Sequence, residues 1–296
     1  MKQILFISGK GGTGKTVITA SFAVLNNKSI IADCDVDAAC LHLLLNPQII
    51  EKNIFIGRKK SEILQNKCKL CGKCFKVCVF NAVLKTKVDN DSKKNKYLIN
   101  SLLCEGCGVC VWNCPESAIE FNAKEAGEWY VSKTEYGTFI HARLIPGEEN
   151  SGKLVNVVKK IAKEKAIEEK SDLIIIDGPP GTGCPVICSL SGVDLAVIVT
   201  EPSVSGIYDM ERVLELAQKF NVKCCVIINK YNLNLKKTQE IREYCEKRKI
   251  KILGIIPFSE EINQSVVMAK PAVLYCNNEI KKTLHSICEK IGEELK

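Results

Sequence analysis

The 296-residue sequence has no apolar run of the roughly 18–20 residues that a membrane-spanning helix requires. Its first residues, Met1 to Ser8, lack the apolar core and small-residue cleavage site of a signal peptide and indicate a buried strand instead. Hydrophobic residues make up 46% of the chain and charged residues 26%, as is ordinary for a protein with a sizeable core. We therefore expect a soluble, cytoplasmic protein that does not interact with membranes.

The chain also lacks a basic stripe interleaved with aromatic residues, which is typical of nucleic-acid-binding surfaces. Its formal net charge is +8, but the lysines are spread over predicted helices and loops. We therefore predict no nucleic-acid partner.

Cysteine, by contrast, is abundant: the chain has seventeen, and eight of them lie between Cys68 and Cys114. A disulfide framework is one explanation, but such frameworks are typical of short secreted domains. The clustering favours metal or cluster binding. The other nine are scattered, mostly in apolar stretches where a thiol packs as a small hydrophobic group: Cys34, Cys40, Cys184, Cys188, Cys224, Cys225, Cys245, Cys276 and Cys288.

The eight clustered cysteines form two copies of the spacing C-x2-C-x2-C-x3-C, which is typical of bacterial ferredoxins. The three closely spaced cysteines of a run wrap one [4Fe-4S] cluster, and the fourth binds the other cluster. Zinc is the alternative, although four zinc ligands would leave the repeat unexplained. Val79 follows Cys78 where proline is usual, which bears on the local turn. The predicted ligands are Cys68, Cys71, Cys74 and Cys114 for cluster one, and Cys104, Cys107, Cys110 and Cys78 for cluster two.

A phosphate-binding loop follows the first predicted strand. Residues 9–16, GKGGTGKT, match the pattern G-x-x-x-x-G-K-[ST] between that strand and a helix predicted from Lys15 to Asn26. Backbone N–H groups would surround the β-phosphate of ATP, Lys15 would neutralise its β- and γ-oxygens, and Thr16 would bind Mg²⁺. The predicted cofactor-binding residues of the loop are Gly9, Gly11, Gly12, Thr13, Gly14, Lys15 and Thr16.

Acidic residues end two other predicted strands. The apolar run 173–177 ends in Asp177, the Walker B arrangement, in which the aspartate holds Mg²⁺ through a water molecule. The glycine- and proline-rich residues 178–183 follow as a predicted switch II. The second strand, residues 29–33, leads into Asp33, Asp35 and Asp37. A solvated turn would explain these three aspartates equally well if no phosphate-binding loop were present.

Strands alternate with helices along most of the chain, which predicts a doubly wound, mostly parallel α/β sheet. Apolar runs at 195–200, 224–229 and 252–256 are typical of its buried strands. We expect a discontinuous ATPase domain over residues 1–60 and 123–296, and an inserted ferredoxin-like α+β domain over 61–122. Residues 52–66 are predicted as a connector, and 89–96 as a polar loop between the two cysteine runs.

A second lysine in the loop, Lys10, resembles the deviant Walker A motif of the ATPase superfamily that includes MinD, ParA, the Mrp iron–sulfur carriers and the nitrogenase iron protein. Segments 146–154 and 200–206 resemble members with an inserted ferredoxin domain, often labelled cobyrinic acid a,c-diamide synthase-like. The resemblance implies that Lys10 reaches the ATP of a dimer partner. It also implies that Asp35 orients the attacking water and binds Mg²⁺, and that Asn229 and Pro257 contact adenine.

The resemblance further implies a nucleotide-switched ATPase, either a homodimer or a heterodimer with a paralogous ATPase. Hydrolysis would be coupled to electron transfer or to assembly of an iron–sulfur or metal cofactor, with a redox or cofactor-assembly protein as partner. Cys184 lies where the nitrogenase iron protein has a ligand of its subunit-bridging cluster, but residues 147–153 supply no second cysteine. A small residue of switch II is the alternative interpretation of Cys184.

A spatial organiser like MinD or ParA, with structural or redox-sensing clusters, is the alternative function. It would require an element that binds membrane or DNA, and the candidate is the C-terminal helix. An apolar face at this spacing is more typical of a helix packed on its own sheet. That face consists of Ile280, Leu284, Ile287, Ile291 and Leu295.

Overall fold

The structure is a computed structural model that describes residues 1–88, 91–148 and 151–296. It divides into two compact units, described separately below. The large unit comprises Met1–Asn53, Glu128–Arg143 and Ser151–Lys296. The small unit comprises Ile54–Gly127 and Leu144–Asn150.

The strands and helices follow one another along most of the chain. The strands are β1 (Lys2–Ser8), β2 (Ile30–Asp33), β3 (Gln48–Ile63), β4 (Val83–Val88), β5 (Asp91–Ile99), β6 (Ile119–Thr134), β7 (Gly137–Leu144), β8 (Leu173–Pro180), β9 (Leu195–Thr200), β10 (Lys223–Asn229) and β11 (Lys251–Ile256). The helices are α1 (Lys15–Leu25), α2 (Leu41–Leu45), α3 (Lys73–Val77), α4 (Val109–Trp112), α5 (Ser151–Glu168), α6 (Cys184–Leu190), α7 (Val204–Lys219), α8 (Leu235–Lys247), α9 (Glu260–Val267), α10 (Ala272–Tyr275) and α11 (Asn278–Glu294).

One sheet organises the large unit, with strand order β11-β10-β9-β1-β8-β2-β7-β6-β3. The pairs from β11 through to β7 are parallel, and every residue of β9 is buried. Short runs of valine, isoleucine and leucine produce such strands because helices cover both faces of a parallel sheet. The carboxyl ends of β1, β2, β8 and β10 therefore meet at one edge. The predicted α/β fold with a mostly parallel sheet is confirmed.

The apolar face of α11 lies in the core of the large unit. Ile280, Leu284, Ile287 and Ile291 are buried there, and α11 packs against β11. This placement confirms that the face packs on its own sheet. In the parts of the chain that the structure describes, no helix is long and apolar enough to cross a membrane.

Two predicted connections are strands in the structure. Residues 52–66, expected to be a connector, belong to β3 as far as Ile63. The prediction was wrong because lysine and glutamate interrupt the apolar pattern, although the isoleucines between them favour an extended chain. Within the predicted polar loop 89–96, residues 89–90 lie outside the described residues, and from Asp91 onward the chain forms β5, antiparallel to β4.

In the small unit, the two cysteine runs adopt the same local structure. Gly72 and Gly108 have φ values of 72° and 74°, in the left-handed region, and each is followed at once by a short helix, α3 or α4. Glycine suits both positions because it adopts a positive φ without steric cost. A small core of Ile63, Cys74, Val83, Tyr97 and Ile119 packs against further cysteines of both runs.

Candidate nucleotide site and cysteine cavities

The loop of residues 9–16 connects β1 to α1 and is braced from β10. Gly12 and Gly14 have φ values of 79° and 87°, which lets the backbone turn tightly before Lys15 begins α1. A Cβ on Gly14 would lie 2.3 Å from Asn229 Nδ2. That amide donates a hydrogen bond to the carbonyl of Thr13 at 2.8 Å. Asn229 therefore positions the loop, a role that the sequence did not indicate.

Lys15, Thr16 and Asp177 come together at the end of β8. Lys15 Nζ lies 2.9 Å from Asp177 Oδ1, and the Thr16 hydroxyl donates to Asp177 Oδ2 at 2.7 Å. A third donor, the hydroxyl of Thr19, reaches Asp177 Oδ1 at 2.8 Å. Lys15 Nζ also lies 3.8 Å from Asp35 Oδ2. The structure thus brings the predicted Mg²⁺ ligands Thr16, Asp35 and Asp177 around one buried ammonium group.

Negative charge exceeds positive charge at this edge. Burial raises the pKa of Asp33 well above its ordinary value, and the neighbouring Asp177 raises it further. Burial likewise raises the pKa of Asp35. Burial alone would lower the pKa of Lys15, but Asp177 and Asp35 outweigh it and raise that pKa. Three carboxylates face one ammonium group, an arrangement that suits a divalent cation bound with a nucleotide.

Lys10 is held within its own chain. Its Nζ lies 2.7 Å from Glu201 Oε1 and donates to the hydroxyls of Ser203 at 3.1 Å and Ser205 at 2.9 Å. Lys230 Nζ lies 3.0 Å from Glu201 Oε2 and donates to the carbonyl of Gly12 at 2.8 Å. Burial tends to raise the pKa of Glu201, but hydrogen bonds from the two lysines lower it overall.

Sequence reasoning missed Glu201 as a site residue and did not foresee that Lys230, beside Asn229, pairs with it. The available signal was their position, since each directly follows a buried parallel strand, β9 or β10, just as Asp177 directly follows the apolar run of β8. Pro257 directly follows β11 and is half-buried, Asp37 is exposed, and Cys184 is an exposed thiol at the start of α6. Adenine contacts of Asn229 and Pro257 remain predictions.

Two cavities lie within the small unit, and each has four cysteines in its wall. The first contains three cysteines of the first run and the last cysteine of the second; the other has the reciprocal set. The first set is Cys68, Cys71, Cys74 and Cys114; the second is Cys104, Cys107, Cys110 and Cys78. The structure therefore groups these side chains across the two runs.

The thiols surround the cavities without converging on single points. All seventeen cysteines lie in described residues, and each is a free thiol. Among residues 1–88, 91–148 and 151–296, no three histidine, cysteine, aspartate or glutamate side chains are close enough together to hold one metal ion. Four thiolates on a zinc ion would lie about 3.8 Å apart, given Zn–S bonds of about 2.3 Å. In this structure the described thiols are not grouped at that spacing.

Polar groups in the small unit reach two of these sulfur atoms. The backbone N–H of Ala118 donates to Cys114 Sγ at 3.3 Å, and Cys110 Sγ lies 3.3 Å from the hydroxyl of Ser61. Burial raises the pKa of the Cys74 and Cys110 thiols, although the Ser61 hydroxyl partly offsets this at Cys110. A raised pKa favours the neutral thiol, so these cysteines would lose their protons only when a cation binds the sulfur.

Most of the chain matches a family of nucleotide-binding domains. The family model described as the CobQ/CobB/MinD/ParA nucleotide binding domain matches residues 4–272. The chain belongs to this family. The predicted superfamily is therefore confirmed.

Individual relatives agree with this assignment. An uncharacterised protein of Methanocaldococcus jannaschii is 34% identical over 98% of this chain and 96% of its own length. An iron-sulfur cluster carrier protein of Pyrococcus abyssi is 27% identical over 42% of this chain and 46% of its own length. The structure of septum site-determining protein MinD from Pyrococcus horikoshii, complexed with Mg-ADP, has a TM-score of 0.57 at 18% identity and covers 98% of this chain and 95% of that one. This last likeness shows the family fold.

Proposed function

We propose that this chain is an ATPase that dimerises with bound ATP and couples hydrolysis to electron transfer or iron–sulfur cofactor assembly through two [4Fe-4S] clusters. The observation that carries the proposal is the pair of cavities, each lined by three cysteines of one run and the last cysteine of the other. Ferredoxin runs hold two cubane clusters in this crossed manner.

The nucleotide half of the proposal draws on the edge of the large sheet. ATP would bind the backbone N–H groups of residues 9–16, and Lys15 would neutralise its β- and γ-phosphate oxygens. Thr13 Oγ1 is buried and has no hydrogen-bond partner among the described residues, which suits a site completed by a ligand. Thr16 and Asp177 would hold Mg²⁺, and Asp35 would orient the attacking water.

Dimerisation would supply the remaining positive charge. A lysine that enters a partner's site stabilises charge on the transferred phosphoryl group much as an arginine finger does. Lys10 would serve this role after leaving Glu201. ATP binding would then favour the dimer, since only the dimer places Lys10 against the nucleotide of the other subunit.

The small unit would be the predicted ferredoxin-like domain. Cluster one would be held by Cys68, Cys71, Cys74 and Cys114, and cluster two by Cys104, Cys107, Cys110 and Cys78. Each cluster, when bound, would accept or donate one electron. The chain enters this unit soon after Asp35 and Asp37 and returns to the large unit at Glu128. The partial similarity to an iron-sulfur cluster carrier protein also supports this half of the proposal.

Anaerobic purification followed by iron and acid-labile sulfide analysis tests the clusters. We expect about eight iron and eight sulfide ions per chain, as two cubane clusters require, and fewer than about six iron ions would count against two full clusters. ATPase rate and ATP-dependent dimerisation are then measured with the clusters oxidised and reduced. If redox state changes neither quantity, the coupling is absent.

A spatial organiser is the second candidate, because the large unit has the fold of MinD. The clusters would then be structural or would sense redox state. Flotation with liposomes and ATP tests this candidate. Co-flotation would favour it over the electron-transfer or assembly role, whereas the burial of the apolar face of α11 predicts no co-flotation.

A further inference from the structure

The two cysteine runs share their spacing but differ in charge. Residues 65–80 carry four lysines and no acidic residue. The corresponding residues 101–116 carry two glutamates, Glu105 and Glu116, and no lysine or arginine. We call the four lysines of the first run, Lys67, Lys69, Lys73 and Lys76, the lysine face.

The lysine face is open to solvent. All four side chains are exposed, and Lys69 pairs with Glu116 at 2.8 Å. The other three form no salt bridge with any residue that the structure describes. Leu70 and Phe75, in the same sixteen residues, are 45% and 49% exposed. Exposed apolar side chains rimmed by polar residues mark protein-interaction sites.

The difference in charge reaches the cavity walls. Lys69 and Lys73 line the first cavity together with its four cysteines and Glu116. In the second cavity, Glu105 is the ionisable lining residue apart from the cysteines. Glu105 pairs with Arg58 at 3.0 Å, so the second cavity lacks the excess of positive charge that would attract an anionic partner to the first.

We propose that the lysine face docks an acidic electron-carrier protein, which exchanges one electron with cluster one. This rests on the clusters proposed above. In the forward direction the carrier loses one electron and the [4Fe-4S]²⁺ cluster becomes [4Fe-4S]⁺, with no proton or further reactant. Opposite charge steers such encounters and orients the partner over the cavity. A protein carrier fits better than a nucleic acid, because the face contains no arginine to form forked phosphate contacts.

The test uses the anaerobically purified full chain and an acidic plant-type [2Fe-2S] ferredoxin as probe. The variant Lys67→Glu/Lys73→Glu/Lys76→Glu reverses the unpaired charges of the face. Its control, Lys219→Glu/Lys236→Glu/Lys282→Glu, makes the same change in net charge at exposed lysines of the large unit. Binding is measured by calorimetry with both proteins oxidised, and electron transfer by stopped-flow absorbance.

At about 20 mM salt, we expect the face variant to bind the ferredoxin about tenfold or more weakly, and the control variant within about threefold of the unsubstituted chain. Raising the salt to about 0.5 M should abolish the difference, because screening shortens the range of charge attraction. Electron-transfer rates should follow the same order.

The outcomes separate the two proposals. Low iron in the unsubstituted chain would overturn both the clusters and the docking surface. Full iron together with equal ferredoxin binding by all three proteins would overturn the docking surface alone. Tighter binding of a labelled oligonucleotide than of ferredoxin at the lysine face would also overturn it. If the face variant loses iron, the neutral variant Lys67→Gln/Lys73→Gln/Lys76→Gln replaces it, and unchanged binding by that variant would be equally decisive.

Discussion

Lys10 and Glu201 form an ion pair of 2.7 Å between the phosphate-binding loop and the residue that follows β9. Glu201 also pairs with Lys230, which donates to the carbonyl of Gly12 in the same loop. One carboxylate thus holds two lysines beside the nucleotide site. In the proposed dimer, Lys10 must leave this carboxylate before it reaches the partner's ATP.

Replacing Glu201 should therefore favour the dimer. The ion pair is partly exposed, so its loss in Glu201→Gln is worth about 1 kcal/mol. We expect the dissociation constant of the ATP-dependent dimer, measured by sedimentation velocity, to be about fivefold lower than that of the unsubstituted chain. Glu240→Gln, which removes an exposed pair with Lys237, is the control and should leave the constant unchanged. Equal or weaker dimerisation of Glu201→Gln would show that release of Lys10 does not limit assembly.

Lys15 should contribute to stability as well as to ATP binding. In Lys15→Met, the buried carboxylates of Asp33, Asp35 and Asp177 lose their ammonium partner. We expect the free energy of unfolding without nucleotide to fall by about 3–5 kcal/mol, as it does when one partner of a buried ion pair is removed. Urea unfolding measures the change, and equilibrium dialysis should show that ATP binding is lost.

A second substitution distinguishes charge imbalance from lost packing. Lys15→Met/Asp177→Asn removes one of the unpaired carboxylates, so it should recover part of the stability while ATP binding stays absent. The effect of Asp177→Asn is also measured in the unsubstituted chain. If this substitution destabilises Lys15→Met by the same amount, the two side chains are not coupled.

Paired cysteine substitutions should reveal how the clusters are held. With crossed ligation, Cys78→Ala/Cys104→Ala removes two ligands of cluster two and should leave about four iron ions per chain. Cys68→Ala/Cys78→Ala removes one ligand from each cluster and should leave almost none. Ligation within each run predicts the reverse result. ATP affinity, which depends on the large unit, is the control for folding.

The sequence predicted the parts of the site that follow from local pattern. The loop 9–16 follows a buried apolar strand, and Asp177 follows the apolar run of another. Parallel strands bring their carboxyl ends to one edge of a sheet. The two cysteine runs likewise carry their own spacing. These features need no knowledge of strand order.

Other parts of the site depend on strand order, which local pattern does not contain. Glu201 reaches Lys10 because β9 lies directly beside β1, and Asn229 reaches Thr13 because β10 comes next. The sequence places the members of these pairs 191 and 216 positions apart. Their contacts arise from the folded sheet alone, and so they could not be predicted from motifs.

His141 is a buried histidine that should make the large unit sensitive to acid. Its ring stacks on Phe139 and Tyr130, with centroids 4.6 and 4.8 Å apart, and its Nε2 lies 3.0 Å from the Ser132 hydroxyl. Burial, followed by the neighbouring His42, lowers its pKa from 6.5 to about 4. The neutral ring is therefore the form that the fold accommodates.

The direction of the pH effect follows from that shift. Since the pKa is lower in the folded chain, the unfolded chain binds a proton first as the pH falls, and the stability present above pH 6.5 is lost towards pH 4. This group alone should lower the free energy of unfolding by about 2 kcal/mol between pH 6.5 and pH 5. Urea unfolding at both pH values measures this loss. In His141→Gln the free energy of unfolding should fall by about 2 kcal/mol less than in the unsubstituted chain. In the control His285→Gln, at an exposed histidine, it should fall by the same amount as in the unsubstituted chain. The same slope in His141→Gln as in the unsubstituted chain would mean that this ring does not cause the acid sensitivity.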